Sequence, residues 1–166
     1  MKLEVARMPR VLARILIGCS FLAIGLAARA QDARTWMFNF DSDTAVLQYG
    51  TPDTDDAVLV IACEPAKRSM HIAEFIGSDS LVPGRPAHLK LASGAASVDY
   101  AGQTVSNEMD GTVNIEVTVA ADPKLIALLK TGTTLTVDIA GKQTAIPLKG
   151  AAPHVAEFEK ACLGRR

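Results

Sequence analysis

Aromatic residues are scarce in this chain, which has five Phe, two Tyr and one Trp among 166 residues. Three of them, Trp36, Phe38 and Phe40, nevertheless occupy alternate positions. Alternate residues of a β-strand point to the same face. We therefore expect these three rings to plug one end of the core. A solvent-exposed platform that stacks on sugars is the alternative interpretation.

Sequence motifs that mark common active sites are missing. There is no G-x-S-x-G elbow, no P-loop and no G-x-G-x-x-G turn. His71, His88 and His154 lack the short spacings typical of zinc ligands, although His71 and His88 could lie on neighbouring strands. We predict that the protein is not an enzyme and has no catalytic residue, no metal and no cofactor. A zinc site built from the three histidines remains an alternative.

Aspartates are concentrated in two predicted turns, residues 41–43 and 53–56, without the D-x-D-x-D-G order of a calcium loop. A calcium site would require the two turns to lie close together in the fold. Turn-forming side chains that bond to their own backbone are the simpler interpretation.

Cysteine is limited to three residues, and the first of them falls in a predicted leader. A basic start, an apolar run over residues 15–28 and the sequence Ala28-Arg29-Ala30 are typical of a secretory signal peptide. We predict that residues 1–30 are a cleaved signal peptide and that residues 31–166 form a single β-rich domain in the periplasm or outside the cell. A lipobox-like sequence over residues 16–19 leaves lipidation of Cys19 as the alternative.

Positive charge is also scarce once the leader is removed. Residues 31–166 contain 12 basic and 17 acidic residues, a net charge of −5. Nucleic acids and anionic membrane surfaces are bound by basic patches, so this balance argues against both as partners. The cleaved chain has no apolar run of the roughly 20 residues that a membrane-spanning helix requires.

Only Cys63 and Cys162 remain after cleavage, so only one internal disulfide is possible in an exported chain. We predict this bridge. Two free thiols are the alternative, but no C-x-x-C spacing and no basic cluster favours a reactive thiol.

The apolar pattern predicts about nine short strands. The run from residue 57 to 63 follows Asp55 and Asp56, and we expect it to be a central strand buried on both faces. The cleanest alternation covers residues 111–119. Residues 96–107 are predicted to form a short hairpin that turns at residues 101–103, because Gly102 favours a turn.

Two helices are expected among the strands. Asp122 is a good N-cap before Pro123, and the second helix begins near Pro153. In the second helix, Phe158 and Cys162 share one face with Val155. The whole pattern is mainly β and predicts an antiparallel β-sandwich or a partly closed barrel of about nine short strands with two short helices.

The loop over residues 77–85 is the longest irregular segment and displays Leu81 and Val82 before Pro83. Exposed apolar residues on loops mark contact sites. We therefore predict a contact loop formed by Leu81, Val82 and Arg85. The alternative is that Leu81 and Val82 fold into the core and cover it as a lid.

The order of these features resembles that of small exported proteins of Gram-negative bacteria. The features are a leader, Trp36, the sequence Tyr49-Gly50-x-Pro52, the strand that ends at Cys63 and the last helix with Cys162. The layout is more distantly similar to the invasion-associated locus B proteins, which are periplasmic β-sandwich-like domains. The resemblance implies a compartment and a fold type, and it implies no catalytic residue.

These observations predict a non-enzymatic periplasmic accessory or binding module that acts through contacts with an envelope protein. An inhibitor of an envelope hydrolase such as lysozyme is the alternative function. An enzyme with a dispersed active site is a third hypothesis, and a deep pocket with convergent polar groups would favour it.

Overall fold

Alternating apolar side chains organise most of the chain into antiparallel strands. The computed structural model describes residues 34–108 and 111–164. The predicted signal peptide and Cys19 therefore lie outside the described residues. The strands are β1 Thr35–Asp41, β2 Thr44–Gly50, β3 Ala57–Glu64, β4 Ser69–Glu74, β5 Pro86–Ser93, β6 Ala96–Ser106, β7 Val113–Ala120, β8 Thr134–Ile139 and β9 Lys142–Pro147. The helices are α1 Pro123–Thr131 and α2 Ala151–Leu163.

All nine strands belong to one sheet, in the order β1-β2-β3-β4-β7-β6-β5-β8-β9. Every neighbouring pair is antiparallel. Strands β1 and β9 are the two edges, and they are not paired with each other. The predicted class, a mainly β antiparallel fold with two short helices, is confirmed, and the sheet is not closed into a barrel.

A side chain joins the two edges where backbone pairing does not. Trp36 of β1 is 1% exposed, and its Nε1 donates a 2.8 Å hydrogen bond to the carbonyl oxygen of Pro147 in β9. Its ring also lies against that of Tyr49, with the centroids 5.5 Å apart. The curled sheet therefore brings β1 close to β9. Among the described strands, β2 is the one that pairs with β1 through backbone hydrogen bonds.

The helices cover the apolar inner face of the sheet. Asp122 caps α1 by accepting a 2.8 Å bond from the Lys124 N–H, and Pro123 opens the helix, as predicted. Helix α2 begins at Ala151, two residues before the predicted start, and buries Val155, Phe158 and Cys162. It packs against α1, β1 and β2.

The predicted disulfide links the last helix to the sheet. Cys63 at the end of β3 and Cys162 in α2 lie at disulfide-bonding distance, with their Cα atoms 5.8 Å apart. Both cysteines are buried. A covalent tie therefore holds α2 against the sheet beside β1.

Two details of the predicted strands are wrong. Strand β3 is third from an edge and is fully buried on one face only, because its other side chains, such as Val58 and Val60, lie half-buried on the outer face. The stretch predicted as a hairpin with a turn at residues 101–103 is the single long strand β6. Gly102 lies within that strand because β7 passes close to it, and a methyl group there would lie 2.7 Å from Val117 Cγ2.

The three aromatic side chains of β1 are not equally buried. Trp36 is in the core as predicted, Phe38 is half-buried against it, and Phe40 is 53% exposed. The strand leaves the covered part of the sheet as it approaches the turn at Ser42, so the last ring lacks a cover. Phe40 is therefore a surface residue rather than part of the core.

Candidate contact surfaces

A buried carboxylate holds the start of the loop that carries the predicted contact residues. Glu74 ends β4 and is 0% exposed. Its Oε2 accepts hydrogen bonds from the N–H groups of Ile76 (2.8 Å) and Gly77 (3.1 Å), and its Oε1 accepts one from the N–H of Ile115 in β7 (2.6 Å). Lys142 Nζ donates to the carbonyl oxygen of Gly77 at 2.8 Å. Residues of strands β4, β7 and β9 together fix this end of the loop.

Burial raises the pKa of Glu74 above its ordinary value. The three backbone N–H groups and the nearby ammonium of Lys142 favour the charged form and oppose this increase. Both carboxylate oxygens of Glu74 therefore accept hydrogen bonds from the backbone. Its hydrogen-bond partners are backbone N–H groups of the chain, so the carboxylate anchors the loop.

The hydroxyl of Thr104 holds the other end of the same loop. Thr104 lies on the buried face of β6 and is 3% exposed. Its Oγ1 accepts the N–H of Arg85 at 2.8 Å and lies within donating distance of the carbonyl oxygens of Val82 (2.6 Å) and Arg85 (3.0 Å). Backbone bonds from Gly84 to Thr104 and from Thr104 to Arg85 extend the ladder into the loop. The segment from Val82 to Arg85 is therefore attached along its length.

Between these two attachments the predicted contact residues have different exposures. Leu81 is half-buried and packs against the core. Val82 is 62% exposed, the highest value among the large apolar residues of the described chain, and Pro83 and Arg85 are exposed beside it. The loop thus displays one apolar tip and one cation on a backbone that is already hydrogen-bonded.

A second candidate surface is an apolar groove between β1 and α2. Its volume is about 410 Å³, and it is lined by Phe38, Phe40, Pro65, Glu157, Lys160 and Ala161. The aromatic rings come from alternate positions of β1, and the charged residues come from one side of α2. Pro65, from the turn after β3, completes the lining. We refer to these six residues as the β1–α2 groove.

A polar hollow of about 620 Å³ lies against the outer face of the β1–β2 hairpin. Its walls come from the two strands and from the loop that follows them, and they are Met37, Asn39, Val46, Gln48, Asp53, Thr54 and Asp55. The neighbouring Asp56 faces Arg34, with Oδ2 3.2 Å from Nε. The hydrogen bond from Arg34 lowers the pKa of Asp56.

The two acidic turns lie at opposite ends of the hairpin. Asp41 and Asp43 flank the β1–β2 turn, whereas residues 53–56 follow the far end of β2. The proximity that a calcium site would require is therefore absent. In the described ranges, no three His, Cys, Asp or Glu side chains are arranged to hold a metal ion.

The histidines are also dispersed. His71 on β4 lies 3.3 Å from Glu116, and His88 on β5 lies 2.9 Å from Asp99. Strands β7 and β6 separate β4 from β5, so the expectation that His71 and His88 occupy neighbouring strands is wrong. His154 lies in α2. The zinc site considered from the sequence is not assembled by this fold.

Sequence analysis missed Glu74 and Thr104, the two residues that hold the contact loop. A signal for each was present. Glu74 follows Met70 and Ile72 at the inward-facing positions of its strand, where a carboxylate is out of place. Thr104 occupies the equivalent inward position on β6, but the predicted turn at Gly102 concealed that register.

Comparison of the chain with protein-family models, with curated proteins and with solved structures returned no match. The resemblance to exported proteins of Gram-negative bacteria therefore stays a prediction. In the described part of the chain, neither helix combines the length and the apolar character needed to cross a membrane.

Proposed function

We propose that this protein is a non-enzymatic periplasmic accessory module that binds an envelope protein through the loop displaying Val82 and Arg85. One observation carries the proposal. The loop presents an apolar tip that is 62% exposed while its backbone is bonded at both ends, to Glu74 and to Thr104. A large exposed apolar side chain on an attached loop is suited to contact, because little conformational entropy is lost on binding.

The periplasmic location belongs to the same proposal. It is supported by the disulfide between Cys63 and Cys162, since such bridges persist in oxidising compartments. The signal peptide predicted for residues 1–30 supports it from the sequence. Detection of the processed chain in a periplasmic fraction, with a mature N-terminus at Gln31, tests this part.

The binding experiment compares the wild-type chain with Val82→Lys and Phe40→Lys. Each variant places an ammonium on an exposed apolar site, but Phe40 lies in the β1–α2 groove, far along the chain from the loop. With immobilised protein and envelope extract, we expect a retained species that Val82→Lys loses and Phe40→Lys keeps. A retained species unaffected by Val82→Lys would show that the loop is not the binding site.

Inhibition of an envelope hydrolase is the second candidate function. The loop favours it because a bonded backbone with an apolar tip can enter a cleft without rearranging, as in complexes of pre-organised partners. The net charge of −5 for residues 31–166 adds electrostatic attraction toward a basic enzyme. Lysozyme is the probe: the wild-type chain should slow cell-wall hydrolysis, and Val82→Lys should abolish the effect. Unchanged hydrolysis with the wild type would exclude inhibition of this enzyme.

A further inference from the structure

The polar hollow on the outer face of the β1–β2 hairpin has a floor that alternates in character. In the strand register, Met37 lies opposite Gln48, and Asn39 lies opposite Val46. All four side chains line the hollow of about 620 Å³. Each cross-strand pair therefore places one apolar side chain beside one carboxamide on the same face. A floor of this kind suits a ligand that combines an apolar stem with a polar end.

The rim above this floor is a loop with a fixed backbone. The N–H of Thr51 donates to the carbonyl oxygen of Asp56 at 2.8 Å. The hydroxyl of Thr54 donates to the carbonyl oxygen of Thr51 at 2.9 Å and accepts the N–H of Asp56 at 3.1 Å. The backbone that carries Asp53 and Asp55 is thus set before a ligand arrives, so little conformational entropy is lost when one binds.

The polar side chains around the hollow are not used by the chain itself. Four of them form no hydrogen bond or ion pair among the described residues, and they are Asn39, Gln48, Asp53 and Asp55. Arg34, the cation that contacts this loop, is bonded to Asp56 instead. The hollow therefore displays two carboxylates that no cation of the described chain pairs with.

We propose that the hollow binds an alkylammonium group, carried by a small aliphatic diamine or by a lysine side chain. The methylene stem would lie on Met37 and Val46, as lysine stems lie along apolar surfaces in proteins. The ammonium would donate charge-assisted hydrogen bonds to the carboxylates of Asp53 and Asp55. This inference goes beyond the proposed function, because it concerns the hairpin rather than the loop of Val82, and Val82→Lys should not affect it.

The chemistry of the lining favours an alkylammonium over other ligands. An anion would be repelled by the two carboxylates. A metal ion is disfavoured because, in the described ranges, no three His, Cys, Asp or Glu side chains are arranged to hold one. A neutral ligand would cover the carboxylates without supplying a counter-charge. An ammonium supplies a compact positive charge and three donors, which the carboxylate and carboxamide oxygens of the hollow can accept.

The first experiment follows the methionine methyl resonances by NMR, using the protein purified in the form that the cell produces. The probes are 1,5-diaminopentane and Nα-acetyl-lysine N-methylamide, which distinguish a free diamine from a lysine side chain. We expect the Met37 methyl resonance, assigned with Met37→Leu, to shift to saturation with one probe or with both. The resonance of Met70, which is fully buried, should stay unchanged, and high salt should weaken binding. Absence of a saturable Met37 shift with either probe overturns the proposal.

The second experiment locates the binding with paired variants. Asp53→Asn combined with Asp55→Asn removes both rim charges and keeps the side-chain shape, and asparagine tolerates the φ of 59° at Asp53. We expect its dissociation constant for the bound probe to rise about ten-fold. Asp41→Asn combined with Asp43→Asn removes the same charge from the other turn and should bind like the wild type. An equal loss in both double variants, or an equal Met37 shift with Mg²⁺ at the same ionic strength, would show general attraction of cations and overturn the proposal.

Discussion

At the residue scale, Glu74 is the least expected feature of the molecule. Its carboxylate is fully buried and accepts hydrogen bonds from three backbone N–H groups of two separate segments. A glutamate at the end of a strand is ordinarily exposed to solvent. The side chain replaces a stretch of sheet pairing where β4 ends and the chain bends away from β7. Its neighbours on the same face are apolar, so each of its hydrogen bonds is difficult to replace with water.

Replacing Glu74 by Gln should destabilise the fold by about 1–3 kcal/mol, because one acceptor oxygen becomes an NH₂ group facing backbone donors. Chemical denaturation monitored by circular dichroism measures the loss. Glu116→Gln is the matched control, since Glu116 lies half-exposed on the outer face and bonds to His71. Its effect should stay within about 0.5 kcal/mol. Equal stabilities for the two variants would contradict the role given to Glu74.

The same residue predicts a pH dependence. The pKa of Glu74 is raised in the folded state, so the folded chain holds this proton more tightly than the unfolded chain. This group's contribution to stability is therefore fully present below the unfolded pKa and is lost as the pH rises through the folded pKa. The stability of the wild type relative to Glu74→Gln should fall as the pH rises from about 4, near the unfolded value, toward neutrality. A difference that stays constant over this interval would contradict the raised pKa.

At the element scale, α1 depends on one aspartate that serves two elements. Asp122 accepts the Lys124 N–H as the N-cap, and its other oxygen accepts the hydroxyl of Tyr100 from β6 at 2.7 Å. This arrangement raises the pKa of Tyr100, mainly through burial and then through the bond to Asp122. The helix start is therefore fixed to the sheet by the same side chain that caps it.

Asp122→Ala should lower the free energy of unfolding by about 1–2 kcal/mol, since the cap is lost and the Tyr100 hydroxyl loses its partner. Thermal unfolding followed by near-ultraviolet circular dichroism reports both the stability and the tyrosine environment. Asp43→Ala removes an exposed carboxylate from a turn and should have a small effect. A similar loss in both variants would argue against the dual role of Asp122.

Strand β6 gives a prediction about close packing. Gly102→Ala would place a methyl group 2.7 Å from Val117 Cγ2 and against the carbonyl oxygen of Glu116. Overpacking of this kind costs about 1–3 kcal/mol. The exposed neighbour Ala101→Ser should leave the stability nearly unchanged. If Gly102→Ala were as stable as the wild type, then β7 would not approach β6 as closely as described.

At the scale of the whole molecule, one bridge joins residues that are 99 positions apart. It holds α2 over the inner face beside β1, where no backbone pairing closes the sheet. On the chain-entropy model a loop of this length contributes up to about 4–5 kcal/mol. The hydrogen bond from Trp36 to Pro147 links the two edge strands separately from this bridge.

Cys63→Ser or Cys162→Ser should therefore lower the Tm in oxidising buffer, and the double variant should lower it no further than a single one. Differential scanning calorimetry of the wild type with a reductant supplies the control, because reduction should reproduce the variants. Equal melting of wild type and variants in oxidising buffer would show that the bridge contributes nothing to stability.

The local sequence pattern was sufficient to predict the strands and helices, but it was insufficient to predict which of them lie next to each other. Alternation and capping signals identified the strands and both helices, because side-chain period and cap chemistry are properties of neighbouring residues. They failed at Gly102, where a distant strand rather than a turn requires the absence of a side chain. They also failed for β3, because its place in the sheet depends on which strands lie beside it.

By itself the sequence determined the class of fold and the order of its elements, since both follow from local periodicity, and it predicted the pairing of Cys63 with Cys162 on the expectation that Cys19 leaves with the leader. Only the tertiary structure decided that Glu74 and Thr104 hold the Val82 loop and that Trp36 joins the two edge strands through its hydrogen bond to Pro147. Those facts depend on contacts between residues far apart in the chain, and the free energy that selects such contacts comes from burial and hydrogen bonding in the assembled sheet.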